Sequence, residues 1–276
     1  MVVILVVLGA AVLHATWNAM AHGAVDRSAG VAWMALATGV IGLGIVLVQG
    51  LPPAGTWWYI VGSTVLHLAY FGGLLTSYQL GQFSQMYPLA RGTSPWVVAV
   101  VSVVVLQQTL APAVLAGVLL VSAGLIALVF IGRPGRRQVP ALAAATGTGV
   151  MIAAYTVVDG LAVHKMPVLT YLGWVFMLQG FVMPVAVVAW RGTAVLRLPR
   201  AAVLSGLGGG AVSMVAYGLV LWAQTRGTLA EVAALRETSI IFGALIGAVF
   251  FGERFGPRRA IAAAVVVAGI VLISLN

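Results

Sequence analysis

Apolar residues fill this chain in long stretches of about twenty, without the polar and apolar alternation of a half-buried strand. Because the hydrocarbon core of a bilayer is about 30 Å thick, roughly twenty apolar residues make one spanning α-helix. Gly, Pro or Arg marks most of the short connections between the stretches. The pattern predicts ten transmembrane helices, at about 2–21, 30–49, 57–78, 84–106, 112–131, 140–161, 168–190, 201–222, 229–251 and 258–275.

The composition supports an all-α integral membrane protein. The chain is 62% hydrophobic and 7% charged, with a mean hydropathy of +1.12, too little polar surface for a soluble domain of 276 residues. In lipid every backbone polar group must be bonded internally, and runs rich in Gly, Ala, Val and Leu favour helices over barrel strands. The first stretch lacks a basic segment before it and a cleavage pattern after it, so we expect a first spanning helix rather than a signal peptide.

Motifs of enzymes and metal sites are missing from the sequence. It has no G-x-S-x-G elbow, no H-E-x-x-H and no phosphate-binding loop of the G-x-x-x-x-G-K type. There is no cysteine, and the four histidines lack metal-ligand spacing. We therefore expect no enzymatic activity, no metal and no cofactor.

Positive charge is distributed unevenly among the loops. Loops after even-numbered spans carry only Lys165 and Arg226. Loops after odd-numbered spans carry ten arginines: Arg27, Arg133, Arg136, Arg137, Arg191, Arg197, Arg200, Arg254, Arg258 and Arg259. Since cytoplasmic loops are enriched in Lys and Arg, this bias predicts an inner-membrane protein with odd loops in the cytoplasm and both termini outside. The basic residues do not gather on one face, so no nucleic-acid partner is expected.

The chain contains an internal duplication. Ala90–Ser94 returns 145 residues later as Leu235–Ser239. The same offset pairs further residues, among them Gln108 with Glu253 and Gly124 with Gly269. We predict two five-helix repeats, 1–132 and 138–276. Because five is an odd number, the repeats should be inverted relative to each other, as in many secondary transporters.

Each repeat places one arginine, Arg91 or Arg236, deep inside an apolar stretch. An arginine at the centre of the bilayer costs about 2.5–3.5 kcal/mol on insertion scales, so such residues usually have a partner or a function. Repeat alignment suggests polar contacts of Asn18 with Arg91 and of Asp159 with Arg236. Neighbouring Glu237 should point away from Arg236, because consecutive helical residues do not face each other.

These groups form a nearly neutral polar centre that could receive a zwitterion or a weak anion. Arg236 would bind the anionic group, and Glu237 or Asp159 an ammonium or a coupling proton. A closed salt-bridge network that fixes helix register is the alternative for Arg236, Glu237 and Asp159. Packing or snorkelling to the interface is the alternative for Arg91.

Further polar and aromatic residues at membrane depth complete the candidate substrate site: His14, Trp17, His67, Tyr70, Tyr155 and Tyr217. Tyr70 and Tyr217 occupy equivalent repeat positions and are candidate cavity walls. His14 and His67 could titrate in a proton-coupled cycle, or serve only as hydrogen-bond partners.

The chain resembles the EamA-type transporters of the drug/metabolite transporter (DMT) superfamily over essentially its whole length. The resemblance lies in ten short spans in two halves, in Gly252–Pro257 after span 9 and in Gly269 of span 10; Gln108 departs from the usual acid of the first half. It implies export of amino acids or other small metabolites through a cavity formed by spans 1, 3, 4, 6, 8 and 9. It also implies cytoplasmic termini, whereas the charge bias predicts the opposite, and we follow the charge bias.

The function predicted is secondary active transport of a small polar or amphipathic metabolite, such as an amino acid, by alternating access in a lipid-embedded monomer. Two alternatives remain open. One is a multidrug exporter or a flippase for lipid-linked substrates with the same fold. The other is a membrane scaffold without flux, in which the buried charges are structural.

Overall fold

The computed structural model describes residues 1–22, 27–130, 138–193, 197–250 and 257–275. Arg133, Arg136, Arg137, Arg254 and most of the Gly252–Pro257 motif, including Glu253, lie outside these residues. The described residues contain no β-strand. They form the helices α1 (Val2–His22), α2 (Arg27–Gln49), α3 (Trp57–Leu80), α4 (Phe83–Val104), α5 (Pro112–Phe130), α6 (Val139–Ala162), α7 (Val168–Arg191), α8 (Arg200–Gln224), α9 (Leu229–Arg236), α10 (Ser239–Phe250) and α11 (Pro257–Ser274).

Six of these helices are long and apolar enough to cross a membrane: α1, α2, α3, α6, α7 and α8. Shorter apolar segments lie in α5 and α11. Helix α4 has 22 residues, but its first half is polar and contains Arg91. The all-helical, membrane-embedded character predicted from the sequence is confirmed.

The ninth predicted span, 229–251, is not one continuous helix. Helix α9 ends at Arg236 and α10 begins at Ser239. In the intervening turn the N–H groups of Glu237 and Thr238 bond to carbonyls three residues back, at 3.1 Å, instead of four. The prediction of an uninterrupted helix was therefore wrong. The turn contains neither Gly nor Pro, so no local signal in the sequence marks the break.

Small residues allow two pairs of helices to cross at backbone contact. Helix α2 packs on α7 and α5 packs on α11. A Cβ on Gly180 would lie 2.2 Å from the backbone nitrogen of Gly39, and a Cβ on Gly117 would lie 2.6 Å from the carbonyl oxygen of Gly269. Apolar burial gives no drive for helix association in lipid, so such close van der Waals contact is what holds the helices together.

The remaining packing surrounds α4, which lies against α5 and α6, while α3 packs on α6 and α1 packs on α8. The broken segment α9 contacts both α4 and α1. Residues from the first half and from the second half therefore meet around the interruption at 237–238.

The ends of the helices sort into two groups. Val3, Leu110, Trp222 and Ile273 belong to one apolar cluster, which joins both terminal helices to the connection after α4 and to the end of α8. At other helix ends, Arg191 Nη1 donates to the Ser28 hydroxyl at 3.3 Å, and Gln85 Nε2 donates to the carbonyl of residue 129 at 3.3 Å. The apolar cluster therefore contains the chain ends and helix ends that border even-numbered connections. The two hydrogen bonds join helix ends that border odd-numbered connections.

Candidate functional site

The start of the broken span is fixed by a capping box. The Thr228 hydroxyl accepts from the Glu231 N–H at 3.3 Å, and the Glu231 carboxylate accepts from the Thr228 N–H at 3.1 Å. The helix ends at Arg236, eight residues after Thr228 and about 12 Å further along the axis. This capping box fixes where α9 begins and so where along the chain the interruption follows.

Arg91 and Glu237 form a buried ion pair across the two halves of the chain. Arg91 Nε donates to Glu237 Oε2 at 2.8 Å, and Arg91 Nη2 donates to the Ser239 hydroxyl at 3.2 Å. Arg91 is 4% exposed and Glu237 is 1% exposed. A charge-assisted bond of this length between buried groups is strong, and each partner offsets part of the cost of burying the other. The expected contact of Arg91 with Asn18 is not the one formed.

Arg236 is equally buried but has no acidic partner among the described residues. It is 6% exposed, and its Nη2 donates to the Tyr155 hydroxyl at 3.2 Å. Its Nε has no hydrogen-bond acceptor within the described part of the chain. A guanidinium offers five donors and stays charged. Arg236 therefore forms no ion pair in the described residues and has donor capacity to spare, which is what an incoming anion requires.

Asp159 lies apart from this arginine, contrary to the contact expected from the repeat alignment. Its carboxylate is fully buried and accepts hydrogen bonds from the Tyr171 hydroxyl and from the Tyr217 hydroxyl. Both carboxylate oxygens are thus bonded, one to a tyrosine of α7 and the other to a tyrosine of α8. No arginine forms an ion pair with Asp159 in the described residues. Two tyrosine hydroxyls bond to its carboxylate instead of the predicted Arg236.

Aromatic side chains connect the Asp159 carboxylate with Arg236. The ring of His67 stacks on Tyr155, with centroids 3.8 Å apart, and meets Tyr217 edge-on at 5.8 Å. His67 Nδ1 bonds to the Ser63 carbonyl at 2.9 Å. The rings of Tyr155 and Tyr217 are therefore bridged by one imidazole, and their hydroxyls bond to Arg236 and Asp159 respectively.

The α1 residues predicted for the site make local contacts. Trp17 Nε1 donates to His14 Nδ1 at 3.2 Å, and Asn18 Nδ2 donates to the His14 carbonyl at 2.7 Å. His14 is half-buried and lies within electrostatic range of both Arg91 and Arg236. The structure thus brings His14 near the buried arginines, while the amide of Asn18 is bonded to its own helix.

Residues 139–275 match the model of the EamA-like transporter family. Residues 139–275, the second half of the chain, belong to this family. The family consists of membrane transporters rather than enzymes. The resemblance inferred from the sequence is confirmed over residues 139–275. The matched residues include Asp159, Tyr217 and Arg236.

A solved structure described only as a crystal structure of a protein superposes with a TM-score of 0.77. It is 19% identical, and the match covers 100% of this chain and 98% of that chain. At this identity the likeness shows a shared fold alone. No curated protein matches the chain.

Two partners in this EamA-like chain were missed by sequence reasoning. Ser239 bonds to Arg91 and could have been found, because it ends the repeated Arg-x-Thr-Ser motif. Tyr171 bonds to Asp159 and had no signal, since it lies near the start of α7 beside residues typical of a membrane interface. Tyr70, which was predicted, contacts Tyr155 with centroids 5.9 Å apart.

Proposed function

We propose that this EamA-like protein is a secondary transporter for a small metabolite that carries a carboxylate, with an amino acid the preferred substrate. The observation that supports this most is the buried Arg236, which forms no ion pair and whose Nε has no acceptor in the described residues. Buried charges are costly unless they are paired or functional. An anionic substrate group would supply the missing partner.

The surroundings of Arg236 suit a carboxylate. Helix α10 begins three residues after Arg236, and a helix N-terminus favours negative charge. Discontinuous membrane helices commonly place their free ends at the substrate in secondary transporters. Tyr155 would share the arginine with the substrate, while the half-buried rings of Tyr70 and Tyr217 offer apolar contact to the rest of the molecule.

We propose alternating access between two inverted five-helix repeats, with α9 and α10 together forming one interrupted span. Reciprocal contacts support this symmetry. Gly117 lies against Gly269, and Gly124 lies against the carbonyl of Ala262; adding or subtracting 145 converts one pair into the other. Such an exchange is what a pseudo-twofold axis between repeats produces, and rocking of the repeats would expose the site to each side in turn.

The Arg91–Glu237 pair joins α4 of the first repeat to the interruption in the second. Because its charges already satisfy each other, we propose that it closes the contact between the repeats instead of binding the substrate. This assigns the two arginines different roles: Arg91 is structural, and Arg236 binds the ligand.

We propose an inner-membrane location with the odd-numbered loops in the cytoplasm. The segregation of helix ends supports a consistent sidedness, and the arginine bias gives its sign. A phosphatase fused after Asn276 should be active, since that enzyme folds only outside the cytoplasm. A fluorescent protein at the same place, which is bright only when it folds inside, should stay dark; the reverse pattern would overturn this orientation.

Uptake of labelled amino acids by liposomes containing the purified protein tests the function. Saturable uptake that depends on Arg236 supports the proposal. Absence of flux for amino acids and for other small carboxylates would contradict it. Movement of a labelled lipid-linked substrate between leaflets, with no amino-acid uptake, would instead support the flippase alternative.

A further inference from the structure

The helix bundle is closed by side-chain packing at the even end, where the connections after even-numbered predicted spans lie. One apolar cluster there contains Ile60 of α3, Ala162 of α6, Tyr171 of α7 and Leu221 of α8, all of them buried. Helix α8 packs on both α6 and α7. The structure therefore describes a state that is closed at the even end.

The odd end, where the connections after odd-numbered predicted spans lie, lacks the equivalent packing. In the proposed inverted repeats α1, α2 and α3 correspond to α6, α7 and α8. Equal packing at both ends would place α3 against α1 and α2, as α8 lies against α6 and α7. In the described residues α3 packs mainly on α6 and α7 and does not pack closely on α1 or α2. The two ends of the bundle thus differ in conformation.

A hydrogen bond at the closed end joins two pairs of helices. Helix α6 packs on α3 and helix α8 packs on α1, so each pair contains one helix from each predicted repeat. Asp159 of α6 is fully buried and accepts from the hydroxyl of Tyr217 of α8. The Asp159–Tyr217 bond therefore connects the α3–α6 pair to the α1–α8 pair at the even end.

Asn18 and Tyr70 are the repeat equivalents of this bonded pair. Alignment of α1 with α6 pairs Asn18 with Asp159, and alignment of α3 with α8 pairs Tyr70 with Tyr217. Helices α1 and α3 belong to the same two helix pairs. A bond between Asn18 and Tyr70 would therefore join these pairs at the odd end.

Contacts of neighbouring positions support this alignment. It also pairs His14 of α1 with Tyr155 of α6. Tyr155 bonds to Arg236, and His14 lies within electrostatic range of Arg91, the repeat equivalent of Arg236. Equivalent residues of α1 and α6 thus lie near equivalent arginines.

The polar groups needed for the second bond are available in the described state. Asn18 is half-buried, and its Nδ2 donates to the His14 carbonyl at 2.7 Å, which leaves Oδ1 as an acceptor. Tyr70 is half-buried and meets Tyr155 with ring centroids 5.9 Å apart. Its hydroxyl forms no hydrogen bond with the described residues. A hydroxyl donor and an amide oxygen reproduce the chemistry of the Asp159–Tyr217 bond without its charge.

We propose that Asn18 and Tyr70 bond to each other only in the opposite state of the transport cycle. The Tyr70 hydroxyl then donates to Asn18 Oδ1 and holds the odd end closed, while the Asp159–Tyr217 bond is broken and the even end is open. The inference deepens the proposed alternating access and rests on it. It gives Asn18 a function that its local contact in the described state does not reveal.

The two bonds differ in strength, and this sets the resting state. A hydrogen bond to a carboxylate is roughly twice as strong as one between neutral groups. Tyr171 is a second donor to Asp159, whereas Asn18 offers a neutral amide oxygen. Without a ligand the protein should therefore rest closed at the even end, as the structure describes it.

The reactivity of a cysteine at position 221 tests the proposal without any substrate. The chain has no cysteine, and Leu221 is 1% exposed within the closed cluster. The thiol of Leu221→Cys should react with a small soluble thiol reagent only when the even end opens. Its rate of modification in the purified protein therefore reports the population of the opposite state.

Two Tyr→Phe changes in this background should alter the rate in opposite directions. Tyr217→Phe removes a bond of the described state, so the rate should rise about tenfold or more. Tyr70→Phe removes a bond of the opposite state, so the rate should fall about fivefold.

Tyr59→Phe is the matched control for both changes. Tyr59 belongs to the same closed cluster and its ring stacks on Trp58, but its hydroxyl forms no hydrogen bond with the described residues. The rate of modification at Leu221→Cys should stay unchanged.

Cross-linking tests the approach of α1 and α3 directly, and it does not require Leu221→Cys to fold. A short bifunctional thiol reagent should join Asn18→Cys to Tyr70→Cys, and should do so faster when Tyr217→Phe is added. Asn18→Cys with Leu75→Cys is the control pair. Leu75 lies on an exposed face of α3, so this pair should not be joined.

Effects of the same sign for Tyr70→Phe and Tyr217→Phe, or no effect of Tyr70→Phe, would overturn the proposal. Absence of the cross-link between positions 18 and 70 with and without Tyr217→Phe would overturn it as well. Neither measurement depends on transport. If no tested metabolite is carried but the two tyrosines act in opposite directions, the proposed substrate class fails while the alternating contact stands.

Discussion

Glu237→Ala alone is expected to lower the free energy of unfolding by about 3–5 kcal/mol, because it leaves the Arg91 guanidinium buried without its counter-ion. Arg91→Ala should have a similar effect through the orphaned carboxylate. The double variant Arg91→Met with Glu237→Leu should recover most of this loss, since apolar replacements of similar volume are often tolerated where an ion pair was buried. Denaturant unfolding in detergent followed by tryptophan fluorescence measures all three.

Glu231→Ala is the matched control for this cycle. It removes a carboxylate from the capping box at the start of α9, for which a loss of about 1 kcal/mol is expected. If Glu237→Ala cost no more than this control, and the double variant gave no recovery, the Arg91–Glu237 pair would not be the closed, dry contact described here.

Arg236→Gln is expected to reduce kcat/KM for amino-acid uptake by at least roughly 30-fold, because removing one partner of a buried charge pair costs 2 kcal/mol or more. Arg91→Gln should lower stability, because it leaves Glu237 without its counter-ion, whereas Arg236→Gln should not. Arg236 has no ionic partner in the described residues that its loss would orphan, so removing its charge should leave stability unchanged or raise it.

The comparison of the two Arg→Gln variants separates their roles. Initial rates of labelled uptake into liposomes and unfolding curves should be measured on both. Uptake by Arg236→Gln equal to that of the wild type would remove Arg236 from the mechanism. A loss of stability as large as that of Arg91→Gln would make Arg236 a structural charge.

The sequence predicted the helices well because their lengths follow from bilayer thickness and their ends from turn residues. It failed at 237–238, where Leu235–Ser239 reads as uninterrupted helix. The interruption accompanies a tertiary contact, the ion pair of Glu237 with Arg91. A partner 146 residues away leaves no mark in local periodicity.

The burial of these charged residues was also predictable from the sequence, but their partners were not. The expected Asn18–Arg91 contact would require α1 to lie closely against α4, whereas α4 packs on α5, α6 and α9, and α1 packs on α8 and α10. Asp159 was paired with Arg236 by repeat alignment, which gives equivalent positions but not the direction of a side chain. Two tyrosines from neighbouring helices occupy its carboxylate instead.

The central claim is that the site beside Arg236 is open to water from each side of the membrane in turn. Because the chain has no cysteine, a single Tyr70→Cys variant in liposomes can be labelled with a charged, membrane-impermeant thiol reagent applied to one side at a time. Tyr70 is half-buried and contacts Tyr155, the partner of Arg236. Leu119→Cys, on an exposed apolar face of α5, is the control and should not react from either side. Labelling of Tyr70→Cys from both sides is the predicted result. Absence of labelling from one side, or from both, would contradict the account.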